Sequence, residues 1–385
     1  MSETKAPTAP TKRIGSIDGL KGLAALWILS FHFLLAFAPY GHVGFGSGID
    51  RADALHCFMS YYPYSCLVQA PLALYLFFAL IAYIPTLRYL KKGNEAFITK
   101  QAVTRYFRLV PATLAGAVLG YAAFAFFGSY HVALVESLRP ITGAHWLGTL
   151  IYPDLTWSEA LRDGLYGALF FGVAHTNSVL WCMPLVFIGS YLTYAVLLMF
   201  GKLRRRWLID AVLFGLSFFF PPSAVFLAGI AAADFSRNAR PGEHNKLIVA
   251  LLLLLGLFCG FYPHVLLPAW LSKHTLLAIA AFLFLMGFAR SRLMMVLTDN
   301  RFFRYLGAIS FGVLLVQFPV LLTFSARLYL LLTDSGVSYP EATALTYAAS
   351  LPVVLVSGVL FYQCIERPIG TLCNRVFAFF AEQKN

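Results

Sequence analysis

Long apolar runs separated by short polar clusters set the pattern of this chain. Ten stretches carry it: 20–38, 67–87, 109–128, 178–201, 208–220, 223–235, 247–267, 274–290, 306–332 and 342–365. Several reach the roughly 20 apolar residues that a helix needs to cross hydrocarbon. Pro221-Pro222 divides one block into two pieces, each short for a crossing. A hairpin of two short or re-entrant helices keeps the basic loops at 202–206 and 236–246 on one side, as the positive-inside rule prefers. The pattern predicts an all-α integral membrane bundle of about ten transmembrane helices.

Charge orients that bundle. Of 29 Lys and Arg, 24 fall in the segments that lie inside if both termini are cytoplasmic. Arg51, Arg139, Arg162, Lys273 and Arg327 are left outside or near it. Composition agrees: 59% hydrophobic and 12% charged residues, with a mean hydropathy of +0.74, exclude an ordinary soluble domain. The net charge of +12 sits in short clusters between spans, which argues for topology and against a nucleic-acid face. Residues 1–15 are polar and read as a disordered cytoplasmic N-terminus, 16–368 as one membrane domain, and 369–385 as a cytoplasmic tail. Ala36-Phe37-Ala38 matches a small-residue cleavage pattern, but the first helix itself suffices for insertion, so it is expected to stay.

The cysteines show no metal spacing, and no metal is expected; Cys57 and Cys66 share an outer loop that would allow a disulfide. Gly44-Phe45-Gly46-Ser47-Gly48 follows no strand and reads as a flexible loop, not a phosphate cradle. His42, His56, His131, His145 and His175 fall in the long outer segments 39–66 and 129–177 and stay unassigned.

The candidate chemistry lies in the first span. Lys21 and His32 are eleven residues apart, nearly three helical turns, so they share a face about 16 Å apart along the axis. Lys21 can stay at the membrane surface while His32 lies near mid-bilayer. An ionisable side chain at that depth is a functional candidate by default. The competing structural reading is a histidine bonded to a neighbouring helix.

Ile17-Asp18-Gly19-Leu20-Lys21-Gly22-Leu23-Ala24-Ala25-Leu26-Trp27 followed by His32 resembles the acyltransferase-3 family of polytopic membrane O-acyltransferases. Arg105-Tyr106-Phe107-Arg108-Leu109-Val110-Pro111 is similar to the family's paired arginines at the third span. Weaker similarities are Leu180-Trp181-Cys182-Met183-Pro184, Leu306-Gly307-Ala308-Ile309-Ser310-Phe311 and Ile365-Glu366-Arg367-Pro368. Three positions depart from the family pattern: Val186 stands where a Glu is usual, Ile81-Ala82 where Ser-Gly is usual, and Gln317 where a His is often found.

The resemblance implies a ten-span enzyme that moves an acyl group, with acetyl the expected one, from cytoplasmic acyl-CoA to a hydroxyl of a glycan, lipid-linked sugar or similar acceptor. No permanently bound cofactor is expected; acetyl-CoA or another acyl-CoA is a substrate. His32 is the candidate base or acyl carrier, because imidazole titrates nearest neutrality. Lys21, Arg105 and Arg108 are the candidate coenzyme-binding residues, since arginine forks match phosphate oxygens. Asp18 and Glu366 are candidate supporting residues. Asp18 reads foremost as a helix cap or an i+3 partner of Lys21, and Glu366 as a local ion pair with Arg367 or a tether. The expected setting is the plasma membrane and cell-envelope modification, with membrane lipids as surroundings. Two alternatives are a transporter or flippase of a polar or glycan substrate, and a catalytically impaired family member.

Overall fold

A computed structural model describes residues 15–38, 70–128, 130–142, 147, 155–262 and 266–382. The expectations for residues 1–14, the glycine loop, Cys57, Cys66, His42, His56 and His145 lie outside them. Thirteen helical elements follow one another among the described residues. They are α1 (Gly15–Phe37), α2 (Pro71–Lys92), α3 (Glu95–Phe127) and α4 (His131–Thr142). Next come α5 (Trp157–Arg162, continuing as a π-helix over Asp163–Phe171), α6 (Ser178–Phe200, opening with a 3₁₀ turn), α7 (Arg206–Leu216) and α8 (Ala224–Ser236). The chain then forms α9 (Lys246–Phe261), α10 (Lys273–Arg290) and α11 (Arg292–Thr298). It closes with α12 (Arg301–Asp334) and α13, which runs from Tyr339–Phe361 through a π-turn at Tyr362–Glu366 into Arg367–Glu382.

Every apolar stretch of the sequence pattern coincides with a helix. Seven elements, α1, α2, α3, α6, α10, α12 and α13, are long and apolar enough to cross a membrane. The other three expected spans are the helices α7, α8 and α9, of 11, 13 and 16 residues. The Pro221-Pro222 block folds as a hairpin: α7 packs on α8, and Arg206 at the start of one reaches Asp234 near the end of the other at 2.8 Å. Asp234 therefore ties the hairpin at its open end.

Two helices extend beyond their apolar stretches. α3 begins at Glu95, capped by the Asn94 side chain on the Phe97 N–H, well before its first long apolar run. The last helix does not stop at Ile365-Glu366-Arg367-Pro368. Its π-turn widens the coil just before Pro368, a proline that could not donate the usual backbone hydrogen bond. The amphipathic end then lies against α3, with Lys100 over the Phe377 ring at 5.4 Å.

The α1/α12 crossing positions the centre. A Cβ on Gly22 would lie 2.6 Å from the Gly307 N, and one on Gly307 would lie 1.8 Å from the Asp18 carbonyl. Glycine on both helices lets the backbones touch, the small-residue packing that membrane helices favour. That contact fixes α1 against α12, and with it the residues that α1 presents one to three turns further on.

Candidate active site

Two cavities meet along α1. The first is a basic pocket of about 330 Å³, and Lys21 of α1, Arg88 of α2, Arg105 and Arg108 of α3 and Glu366 of α13 all line it. Because α3 starts at Glu95, both arginines already sit within helix, three residues apart and on one face. Glu366 reaches the same pocket from the π-turn, within electrostatic range of Lys21 and Arg108. Gly312 makes room for it: a Cβ there would lie 3.1 Å from a Glu366 carboxylate oxygen. The Lys21 ammonium also rests over the Phe77 ring at 5.5 Å.

His32 lines the second cavity, of about 580 Å³. Its ring packs beside Phe31 and Phe318, with centroids 5.2 and 4.9 Å away. Gln317 of α12, only 2% exposed, supplies the polar partner: His32 Nδ1 lies 3.2 Å from Gln317 Oε1. The amide has one consistent orientation, since Gln317 Nε2 donates to the Leu314 carbonyl at 3.1 Å. Oε1 can only accept, so His32 Nδ1 carries the proton and Nε2 the lone pair. A neutral imidazole held in that tautomer has its basic nitrogen directed away from Gln317.

Pro319 secures the position of this partner. It cannot donate to the Leu315 carbonyl one turn back, and Asn177 Nδ2 fills the vacancy at 2.7 Å while also donating to the Gly116 carbonyl at 3.2 Å. Asn177 is fully buried and thus stitches α12 to α3 beside the histidine cavity.

Phe77, Val186 and Phe311 line both cavities, so the basic pocket and the histidine cavity adjoin across an apolar neck of these three side chains. The three departures noted in the sequence gather around it. Val186 is in the neck, Ile81 lines the basic pocket, and Gln317 holds His32. A second polar cluster borders the histidine cavity, where the Tyr75 hydroxyl pairs with His274 Nδ1 beside Lys273.

A family model described as an acyltransferase domain, Acyl_transf_3, matches residues 14–363. The chain belongs to the acyltransferase-3 family. No curated protein and no solved structure matches it. With its apolar helices, membership in the acyltransferase-3 family makes the chain a multi-pass membrane protein of an acyltransferase family.

Of the residues singled out from the sequence, His32 lines one cavity and Lys21, Arg105, Arg108 and Glu366 line the other. Asp18 lines neither. It sits inside the first turn of α1 and is not its cap, where a carboxylate suits the helix dipole. Asp163 and His175 also lie apart from both cavities, paired with each other at 3.4 Å. Sequence reasoning passed over Arg88, Tyr75 and His274, and marked Gln317 only as a departure from the family pattern, not as the partner of His32. Arg88 had no local mark to separate it from basic residues that only set topology, and the other three gain meaning from partners far away in the chain.

Proposed function

We propose that the chain is a ten-span O-acyltransferase with both termini cytoplasmic, moving an acyl group from cytoplasmic acyl-CoA to the hydroxyl of a glycan or lipid-linked sugar. The observation that carries this reading is the shared neck: a basic pocket able to hold an anionic nucleotide adjoins the cavity lined by the one histidine of α1. The lopsided Lys and Arg distribution supports putting the basic pocket on the cytoplasmic side.

In this reading Lys21, Arg88, Arg105 and Arg108 bind the phosphates of the donor, and the thioester arm extends through the neck. The apolar walls limit water and so limit hydrolysis of the thioester. His32 Nε2 accepts the proton of the acceptor hydroxyl as its oxygen attacks the thioester carbonyl. The C–S bond then breaks, and the imidazolium returns the proton to the departing thiolate, leaving ester and free thiol. In the acyl-carrier variant, Nε2 attacks first and the C–S bond breaks to release thiolate. The hydroxyl then takes the acyl group from the acyl-imidazolium, its proton passes to the thiolate, and Nε2 regains its lone pair. Gln317 holds Nδ1–H in both routes.

The test uses purified protein in lipid vesicles with labelled acyl-CoA and a crude envelope-glycan extract. Label should move to the acceptor with stoichiometric thiol release, and His32→Ala should abolish transfer while retaining coenzyme binding. Equal transfer by His32→Ala would remove His32 from the chemistry. Glycan uptake into vesicles without any acyl-CoA would favour the transporter reading. Activity gained only on Val186→Glu would favour an impaired enzyme.

A further inference from the structure

We infer that the histidine cavity is the binding site for the hydrocarbon tail of the donor, and that the acyl group handled is a chain longer than acetyl. The inference rests on the acyl-CoA reading above and names the donor more narrowly. The first observation is continuity. Phe77, Val186 and Phe311 line both the basic pocket and the histidine cavity, which therefore adjoin, and Leu80, Ile81 and Ile84 extend this apolar lining on the basic side. A thioester that reaches His32 through such a neck projects its acyl tail into the space beyond.

The second observation is the nature of that space. At about 580 Å³ it far exceeds what a two-carbon group fills, and Ile28, Leu74, Phe78, Val225, Leu277 and Leu314 wall it with hydrocarbon. Its polar side chains are few, His32, the Tyr75–His274 pair with Lys273, and Trp181, Cys182 and Tyr262, and hydrocarbon makes up most of the wall. A polyhydroxylated sugar seated against those walls would lose its hydrogen bonds to water and find few replacements. An alkyl chain loses nothing there and gains by burial. The Tyr75, His274 and Lys273 cluster is then left for polar atoms of the acceptor whose hydroxyl reaches His32.

The third observation is that the neck itself is selective. Val186 carries no charge, and Phe77 and Phe311 leave it no polar atom beyond the backbone. A methylene passing between these walls remains in a hydrocarbon environment throughout.

Binding isolates the donor from the unknown acceptor. Calorimetric affinities of purified protein are measured for coenzyme A and for a series of non-hydrolysable thioether analogues carrying two-, four-, six- and eight-carbon acyl groups. Affinity should rise by about fourfold per methylene, the equivalent of ~0.8 kcal/mol per buried CH₂, until the cavity is full. Val225→Trp and Leu277→Trp, which put bulk into the histidine cavity at residues that do not line the basic pocket, should each flatten that rise while leaving affinity for coenzyme A itself unchanged. An unchanged coenzyme affinity shows that a variant is folded, and either variant alone suffices. If coenzyme A binds but all the acyl analogues bind equally to wild type, the tail does not occupy the cavity and this inference fails while the acyltransferase reading stands. A rise that persists in both variants assigns the gain to detergent or lipid partitioning and also overturns it. If neither coenzyme A nor any analogue binds, the donor reading itself falls.

Discussion

The basic pocket and the histidine cavity differ in what holds them together. The pocket is made of charges: three arginines and a lysine drawn from three helices around one carboxylate. The cavity is mostly hydrocarbon, with the His32 imidazole held in a defined tautomer by a buried amide and the Tyr75–His274 pair at its border. A cationic pocket attracts many anions with little geometric demand, whereas an apolar cavity with one fixed base does nothing until a reacting group is put in position. The division suggests separate duties: affinity for the donor on one side of the neck, and chemistry on the other. If so, substitutions in the two regions should separate cleanly into effects on binding and effects on turnover.

The largest separation is expected at His32. His32→Ala should reduce turnover by about 10²–10⁴-fold, the usual contribution of a positioned acid–base group, while donor affinity stays within about twofold. Quenched-flow acyl transfer, paired with calorimetric binding of coenzyme A, measures both. A parallel loss of affinity would mean that His32 helps to hold the donor and would break the comparison.

Arg105→Ala and Arg108→Ala are expected to do the reverse. Each should weaken coenzyme binding by about 10–100-fold, as befits a charge-assisted hydrogen bond of about 1.5–3 kcal/mol, with turnover at saturating donor almost unchanged. Arg105→Lys and Arg108→Lys sharpen the point. A lysine keeps the charge but loses the planar fork, so a loss on conservative exchange reports geometry and not topology. Retained affinity in every variant would reduce both arginines to orientation signals.

How much of this was legible follows from how local each signal is. Lys21 and His32 stand on one helix, and their spacing alone places them on a common face. The arginine pair was legible as well, through its likeness to the family's paired arginines, although the apolar run begins at Leu109 and the helix already at Glu95. Gln317 was marked only as a departure from the family pattern, with no local sign of its partner. It lies 285 residues from His32, and its amide orientation depends on the Leu314 carbonyl one turn before it. The neck was equally hidden, since Phe77, Val186 and Phe311 come from three helices and read only as three apolar residues in three apolar runs. The end of α13 misled for a different reason: Pro368 ordinarily stops a helix, but a π-turn just before it removes the conflict.

Gln317→Leu offers an intermediate effect. Leucine fills similar space without an acceptor, so the imidazole is no longer held with its proton on Nδ1, and the population with a basic Nε2 falls. Turnover should fall about tenfold with the KM for donor unchanged, because the substitution acts through His32 and not on the coenzyme. Gln317→Glu retains an acceptor on Nδ1–H and should recover most of the loss. Failure of Glu to rescue, or a matching rise in KM, would make Gln317 a packing residue. Steady-state kinetics across donor concentrations separates these outcomes.

The smallest expected effect tests whether charge alone defines the binding side. Lys202 is basic and sits at the end of a helix, as Arg105 and Lys21 do by sequence, but it pairs with Glu95 at 2.8 Å and lines neither cavity. With 75% of its side chain and 41% of that of Glu95 exposed, solvent screens the pair and it contributes little to stability. Lys202→Ala should therefore leave coenzyme affinity and turnover unchanged and shift the melting temperature by no more than a degree or so. A tenfold loss of donor affinity in this variant would mean that the coenzyme responds to the summed field of the basic surface. The arginine pocket would then lose its claim to be a site, and binding and chemistry would no longer divide at the neck.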